Sequence, residues 1–358
     1  MKSVSVLIPC LNESKFIDRC LASVLAFEIP PDFELLEILV IDGGSTDGTQ
    51  EIVAELAKKD SRIRVIDNPR RIQSTGLNKA LEQARGDYIV RLDAHSLYGR
   101  EYLALLIETS VRTGCDNVGG LFITQRRDDE YQSSLVQALT THKFGVGNSG
   151  FRLGAQEGPA DTVPYGFFPR ALFERIGLFD ERLVRAQDYE LNRRIISSGG
   201  CVWRNPNIHV AYYPPATLKS FLRKQVVLEA PYNAYLWYVA PYAFAVRHAI
   251  TGFFAAGVIL GIVLSPFSRT VRIAFASVMA LYAILAILSA IQQAIRYREP
   301  RHIFTLPIAF FLYHFLHGLG LIAGVFRLLI GTAPVKKSRE PWSGAGQFRA
   351  WPPLQKSG

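Results

Sequence analysis

The 358-residue sequence is poor in cysteine: its four, Cys10, Cys20, Cys115 and Cys201, form no C-x-x-C pair. That scarcity argues against a disulfide framework or a cysteine-based zinc site, and it suits a reducing compartment. No signal-peptide core opens the chain, because the apolar run of Met1 to Pro9 is short and ends at the polar Asn12 and Glu13. The first part is therefore expected to stay in the cytoplasm. Glycine (28) and proline (19) are too few for a collagenous or disordered chain. Acidic residues almost vanish after Val210, where 3 Asp+Glu stand against 15 Lys+Arg, whereas the first 210 residues hold 28 against 25. The net charge of +9 is thus a part of about −3 joined to a part of about +12. No helix-turn-helix, zinc-ligand or aromatic RNA-binding signature accompanies the positive charge, which reads as membrane-flanking and not as a nucleic-acid surface.

What is present is alternation. Short β-branched runs (Val4 to Ile8, Leu36 to Ile41, Ile63 to Ile66, Tyr88 to Leu92) are separated by amphipathic stretches (Lys15 to Ala26, Thr46 to Lys58, Ser74 to Ala84). This pattern predicts an α/β domain with a mostly parallel sheet, in which ligands bind at the carboxyl ends of the strands. Later, Ala249 to Pro266, Ile273 to Ile295 and Ile303 to Gly331 are long and apolar enough to span a membrane, and a buried helical core is the competing reading. Upstream, Lys219, Arg223 and Lys224 alternate with Leu218, Phe221 and Leu222, followed by a cluster of Tyr and Trp from Tyr232 to Tyr242. That order suits a segment lying on the membrane surface. The resulting partition is a catalytic domain over 1–216, an interfacial linker over 217–248, about three transmembrane helices over 249–331 and a basic tail over 332–358. As one helix the third span would run about 43 Å against a hydrocarbon core of about 30 Å, so it either tilts or re-enters near Gly318 and Gly320. The side of the tail stays open, since the positive-inside rule conflicts with three simple crossings. His314 and His317 share a face of that span and are expected to pack between helices.

Three acidic clusters fall at predicted strand ends. Pro9-Cys10-Leu11-Asn12-Glu13 follows the first strand and Asp42-Gly43-Gly44-Ser45-Thr46-Asp47-Gly48-Thr49 the second. A turn with a capped helix explains Asp47, whereas Asp42 sits where a carboxylate can reach a ribose or base edge. In Arg91-Leu92-Asp93-Ala94-His95 the acid and imidazole at i and i+2 can share a divalent cation with a diphosphate, although D-x-H is also a common turn. Asp188, after Gln187, opens a helical pattern, where compensation of the helix dipole is its default role. Gly145 to Gly150 matches G-x-G-x-x-G but follows a helical stretch, so it is read as a flexible active-site loop and not as a dinucleotide fingerprint.

Together these residues resemble the family-2 glycosyltransferases of the GT-A fold, and among them the ExoA-like enzymes of succinoglycan-type exopolysaccharide synthesis, over about residues 3 to 225. The resemblance implies a GT-A catalytic domain followed by a transmembrane region. It implies that Pro9, Leu11, Glu13, Asp42, Asn78 and Asp93 bind a nucleotide sugar, that Asp93 and His95 hold Mn²⁺ or Mg²⁺, and that Asp188 is the general base. Gly166, Phe167 and Gln187 would border the acceptor. The usual Asp-x-Asp is here Asp-x-His, which favours Mn²⁺, and the usual Glu-Asp before the base is Gln187-Asp188. The Q-x-x-R-W motif of processive polymerases is missing, since Val-Val-Leu follows Gln225.

The expected activity is inverting transfer of one sugar from a nucleotide-diphosphate sugar to a lipid-linked saccharide, on a polyprenyl diphosphate, at the cytoplasmic membrane in cell-surface polysaccharide synthesis. A polyprenyl-phosphate sugar synthase and a catalytically idle membrane assembly subunit are the alternatives.

Overall fold

Runs that are mostly apolar on both faces of a strand settle where both faces are covered, and the central strands of this chain are of that kind, with Ser5 and Glu37 as polar exceptions. In the computed structural model, which describes residues 1–335, β1 (Lys2–Cys10), β2 (Phe33–Asp42), β3 (Ile63–Asp67) and β4 (Tyr88–Arg91) pair in parallel in the order β3-β2-β1-β4. Val4, Val6, Leu7 and Ile8 of β1 and Ile38 to Val40 of β2 are completely buried. The connecting helices α1 (Ile17–Leu25), α2 (Thr49–Lys59) and α3 (Gln73–Gln83) cover the sheet. In α1, Ile17, Cys20, Leu21 and Val24 are buried at the i, i+3, i+4, i+7 spacing of a core-facing stripe.

After α4 (Tyr102–Thr113) come β5 (Asn117–Thr124), α5 (Tyr131–Thr140), α6 (Lys143–Val146), α7 (Gly150–Leu153), β6 (Gly158–Pro159), β7 (Gly166–Pro169), α8 (Arg170–Ile176), α9 (Gln187–Ser197) and β8 (Val202–Tyr212). β7 runs antiparallel to β4, so the full sheet order is β3-β2-β1-β4-β7-β5-β8-β6. Register aligns Cys10, Asp42 and Asp67 across β1, β2 and β3, with Arg91 ending β4 opposite Leu7. Strand order reverses between β1 and β4, and crevices for ligands form at such reversals. One buried acid serves the framework: Glu37 of β2 accepts hydrogen bonds from Ser5 Oγ at 2.8 Å, Arg85 N at 2.7 Å and Arg64 Nη1 at 2.7 Å. Burial alone would raise its pKa, but these donors hold it below the usual carboxylate range.

The chain divides into two compact units, residues 1–123 with 154–211, and residues 124–153 with 212–335. The second contains α5 to α7, then α10 (Leu218–Lys224), a π-helical turn (Gln225–Glu229), α11 (Ala230–Val239), a 3-10 turn (Pro241–Ala243), α12 (Val246–Leu264), α13 (Arg269–Tyr297) and α14 (His302–Leu329). The last three are long and apolar enough to cross a membrane, with mean hydropathies of 1.7, 2.3 and 1.8. They expose large apolar residues such as Phe253, Ile295 and Phe304, as lipid-facing helices do.

Several expectations change. α14 is continuous through Gly318 and Gly320, so no re-entrant break occurs there; a Cβ on Gly318 would lie 2.0 Å from the Thr251 carbonyl oxygen. These glycines let helix backbones approach closely, which is a packing role. His314 bonds Tyr282 at 2.8 Å and His317 bonds Thr251 at 2.9 Å, as packed histidines between helices do. Gly145 to Gly150 was expected as a flexible loop, but residues on both sides of Gly147 form the helical turns α6 and α7, and Gly145 packs on Phe310. Cys115 and Cys201 are joined by a disulfide, contrary to the reading from spacing. They are 86 residues apart, but β5 and β8 are neighbours, and the residues leading into them lie side by side with Asn117 N donating to Cys201 O at 3.1 Å. The basic tail from residue 336 onward lies outside the described residues.

Candidate active site

Two loops leave the carboxyl ends of β1 and β2 and are laced together. Asn12 N donates to Ser45 Oγ at 2.9 Å, Thr46 N to Asn12 Oδ1 at 2.9 Å, and Glu13 N to Thr49 Oγ1 at 2.8 Å. Asp47 accepts from Ser14 N at 3.0 Å and Thr49 Oγ1 at 2.5 Å, so it organises the turn as its position suggested. Asp42, almost fully buried, accepts from Gly44 N at 2.9 Å, Ser45 Oγ at 2.5 Å and Gln50 Nε2 at 2.5 Å. Burial would lift its pKa, but the donors prevail and keep it an anion. The turn requires left-handed backbone at Gly44 (φ 78°) and Asn12 (φ 57°). Pro9 is half-buried near the end of β1, and Leu11 stays 43% exposed beside Gly43, an apolar surface next to an anion.

At the end of β4, Leu92 and Ala94 turn inward while Asp93 and His95 share the opposite side. Tyr98 pins the turn, its hydroxyl accepting from Asp93 N at 2.8 Å and donating to Asp93 O at 3.1 Å. His95 Nδ1 donates to Glu13 Oε1 at 3.0 Å, and that bond raises the imidazole pKa against the opposing effect of burial. Arg91, almost fully buried, reaches Asp93 Oδ1 with Nη2 at 2.8 Å and lies 3.6 Å from Asp188 Oδ2 through Nη1. The result is a continuous row of ionisable side chains: Glu13, His95, Asp93, Arg91, Asp188.

Asp188 sits in the first turn of α9, behind Ala186 held at φ 63°. A non-glycine residue in that conformation stores strain, a recurrent feature of functional sites. The Asp188 side chain is 30% exposed, yet its Oδ1 is buried without a hydrogen-bond partner. Burial raises its pKa above the carboxylate norm, with Arg91 pulling the other way. Gln187 Nε2 donates to Gln73 Oε1 at 2.5 Å, joining the starts of α9 and α3.

The donor set suits a cation that brings ligands of its own. Asp93 Oδ1 is taken by Arg91 and His95 Nδ1 by Glu13, which leaves Asp93 Oδ2 and His95 Nε2 facing each other at 3.9 Å. Two bonds of about 2.1 Å place their donors about 3.0 Å apart in cis and about 4.2 Å in trans, so this spacing is compatible. Among the described residues no group of three or more His, Cys, Asp and Glu is placed to hold a metal. A cation here would find two protein donors, Asp93 Oδ2 and His95 Nε2, and would need further oxygens from a bound molecule.

Other expected site residues lie elsewhere. Asn78 is completely buried and spends its amide on the Phe179 backbone in both directions at 2.9 Å, clamping the 178–183 loop to α3. Phe167 is a core residue stacked on Tyr88 with 5.1 Å between ring centroids, and does not line the site. Gly166 pairs with Arg91 across the β4–β7 ladder and so borders it. Arg91, Tyr98 and Tyr165 were not singled out from sequence; Tyr165 (φ 62°) lies under the Arg91 guanidinium at 4.9 Å. An arginine closing an otherwise buried strand was the available signal for the first of them.

Comparison with known proteins bears on this geometry. The profile of glycosyl transferase family 2 matches residues 5–177. Succinoglycan biosynthesis protein ExoA of Rhizobium meliloti is 34% identical over 215 residues, which are 60% of this chain and 64% of that protein, just short of two thirds of its length. Glycosyltransferase AglE of Haloferax volcanii is 32% identical over 62% of this chain and 70% of its own. A dolichyl N-acetyl-α-D-glucosaminyl phosphate 3-β-D-2,3-diacetamido-2,3-dideoxy-β-D-glucuronosyltransferase of Methanococcus voltae is 28% identical over 91% of this chain and 98% of its own. Among solved structures, a mannosyltransferase of Pyrobaculum calidifontis, in complex with GDP-Man and Mn²⁺, superimposes with a TM-score of 0.60 at 20% identity, covering 89% of this chain and 86% of its own.

Proposed function

This chain belongs to the family 2 glycosyltransferases, and from that premise we propose that it moves one sugar, with inversion, from a nucleotide-diphosphate sugar to a lipid-linked saccharide in cell-surface polysaccharide synthesis. The observation that carries the reading is the unbroken row Glu13, His95, Asp93, Arg91, Asp188 at the carboxyl edge of the sheet.

In this reading Asp42 and the Pro9 to Glu13 loop receive the nucleotide, with Leu11 offering an apolar face to the base. Asp93 and His95 hold Mn²⁺ or Mg²⁺, and Glu13 fixes the His95 tautomer by accepting its Nδ1 proton. A cation held by these two residues would supply positive charge to the leaving diphosphate. Asp188 accepts the proton of the acceptor hydroxyl as the hydroxyl oxygen bonds to the anomeric carbon and the bond to the diphosphate oxygen breaks. Its raised pKa suits that task, because a base is most effective when its pKa approaches the working pH. Gln187 and Gly166 flank this side.

A base is needed for a hydroxyl acceptor and not for an ionised lipid phosphate, so Asp188 favours a saccharide acceptor over a polyprenyl-phosphate synthase reaction. Support for a lipid carrier comes from α12 to α14 and from the relative of Methanococcus voltae, whose name specifies a dolichyl sugar phosphate acceptor. We place the catalytic unit on the cytoplasmic face, where nucleotide sugars are made, a placement that the Cys115–Cys201 disulfide of the same unit counts against because such bridges are rare in a reducing compartment. Radiolabelled donor incubated with the protein in lipid vesicles, followed by mild-acid release and sizing of the glycan, tests the reading. An oligosaccharide extended by one sugar supports it, whereas a single sugar on a lipid monophosphate identifies the synthase instead.

A further inference from the structure

We propose that Arg91 is a positioning residue that couples the cation-binding carboxylate to the base, so that donor loading and acceptor deprotonation depend on one guanidinium. The inference rests on the roles proposed above for Asp93, His95 and Asp188.

Asp93 follows β4 and Asp188 begins α9, two elements 95 residues apart in the chain, and the two terminal nitrogens of Arg91 separately approach their carboxylates at 2.8 and 3.6 Å. The side chain is 5% exposed and lies on the Tyr165 ring, whose hydroxyl is in turn bonded to Ser96 Oγ at 2.9 Å. The guanidinium therefore rests on a ring that does not itself bind substrate, while its Nε is buried without a hydrogen-bond partner among the described residues. Because it occupies Asp93 Oδ1, Oδ2 is the oxygen left toward His95. Because it also faces Asp188 Oδ2, the base is oriented from the same point, while Asp188 Oδ1 keeps no partner of its own. A planar fork can serve two carboxylates at once; an ammonium on a flexible stem is a single point and serves the nearer.

The test compares wild type, Arg91→Gln, Arg91→Lys, Asp93→Asn and Asp188→Asn in lipid nanodiscs, with thermal unfolding to establish the folded fraction. Binding is read from the electron paramagnetic resonance signal of free Mn²⁺ titrated with UDP or with GDP, and turnover with the sugar nucleotide that supports transfer. Arg91→Gln is expected to weaken Mn²⁺–nucleotide binding at least tenfold and to lower kcat at least a hundredfold. Arg91→Lys is expected to restore Mn²⁺–nucleotide binding to within about threefold, because Asp93 is the nearer carboxylate, while kcat remains at least thirtyfold down. A merely structural arginine would lower both readouts together in proportion to the folded fraction, and that result overturns the proposal. So does wild-type behaviour of Arg91→Gln, or full recovery of kcat in Arg91→Lys, when Asp93→Asn has lost Mn²⁺ and Asp188→Asn is inactive. Turnover by Asp188→Asn would instead remove the base assignment on which the coupling stands.

Discussion

Replacing Asp188 with Asn separates catalysis from folding in a way the structure makes quantitative. The substitution keeps shape and removes the ability to accept a proton. Loss of a positioned general base costs about 10²- to 10⁴-fold in rate, equivalent to roughly 2.7 to 5.5 kcal/mol of barrier. Stability should move little or in the opposite direction. The folded-state pKa of Asp188 is raised by burial, so the folded protein holds this proton more tightly than the unfolded chain does. The associated stability is present below the unfolded carboxylate pKa and is lost as pH rises through the folded value, so at neutral pH the ionised side chain weakens the fold. A neutral amide avoids that cost, and the melting temperature of Asp188→Asn at pH 7 is expected to equal or exceed that of wild type. The wild-type pH profile of kcat/KM should accordingly have an acid limb, at a pKa above that of an ordinary aspartate, that is missing from residual Asn activity. Thermal unfolding beside initial-rate kinetics from pH 4.5 to 8 checks all three. Turnover within a few fold of wild type, or a fall of several degrees in melting temperature with a matching loss of rate, would refute the reasoning.

Glu13→Ala removes the acceptor that orients His95, and by analogy with outer partners of metal ligands it should raise the apparent Mn²⁺ requirement about 10- to 100-fold, read from rate against Mn²⁺ concentration. Glu37→Gln leaves Arg64 and Arg85 without their carboxylate, and because both arginines are partly exposed the expected loss is about 2 to 3 kcal/mol, or roughly 4 to 12 °C in melting temperature. Since Glu37 is depressed below its ordinary value of 4.5, its contribution is in place above that pH and fades as pH falls through the folded pKa; the gap between variant and wild type should close in acid. Reduction with dithiothreitol should destabilise wild type by about 2 to 4 kcal/mol, as expected for a bridge across 86 residues, and leave Cys115→Ser with Cys201→Ser unchanged. Equal response of both proteins would mean that the thiols are not joined.

The α/β core was legible because strands buried on both faces leave short, largely apolar runs rich in Val, Ile and Leu and their helices a 3.6-residue stripe, both local patterns. Strand order is not local. For that reason the adjacency of β5 and β8, and with it the Cys115–Cys201 bridge, could not be read from cysteine spacing. The same limit applied to the site. Asp42, Asp93, His95 and Asp188 are candidates from sequence because each ends or follows a strand or opens a helix, and the structure brings Asp93, His95 and Asp188 into one row. Arg91 gains meaning only when the first turn of α9 brings Asp188 to 3.6 Å from it, and nothing in Arg91-Leu92-Asp93 announces Asp188. Asn78 and Phe167 entered through resemblance alone, and their surroundings show a buried amide clamp and a stacked core ring. Gly318 and Gly320 looked like a break in a helix because glycine in a helix weakens it, yet here their missing side chains admit a neighbouring backbone.

The central claim is that the row from Glu13 to Asp188 transfers sugar from a nucleotide donor with the help of a divalent cation. It is tested most directly by stripping the purified protein in nanodiscs with EDTA, then measuring nucleoside diphosphate release from a panel of nucleotide sugars with lipid-linked saccharides present. We expect no release without cation, release of one nucleotide on adding Mn²⁺, and none from Asp93→Asn under either condition. Release that is indifferent to EDTA, or that persists in Asp93→Asn, would contradict the account.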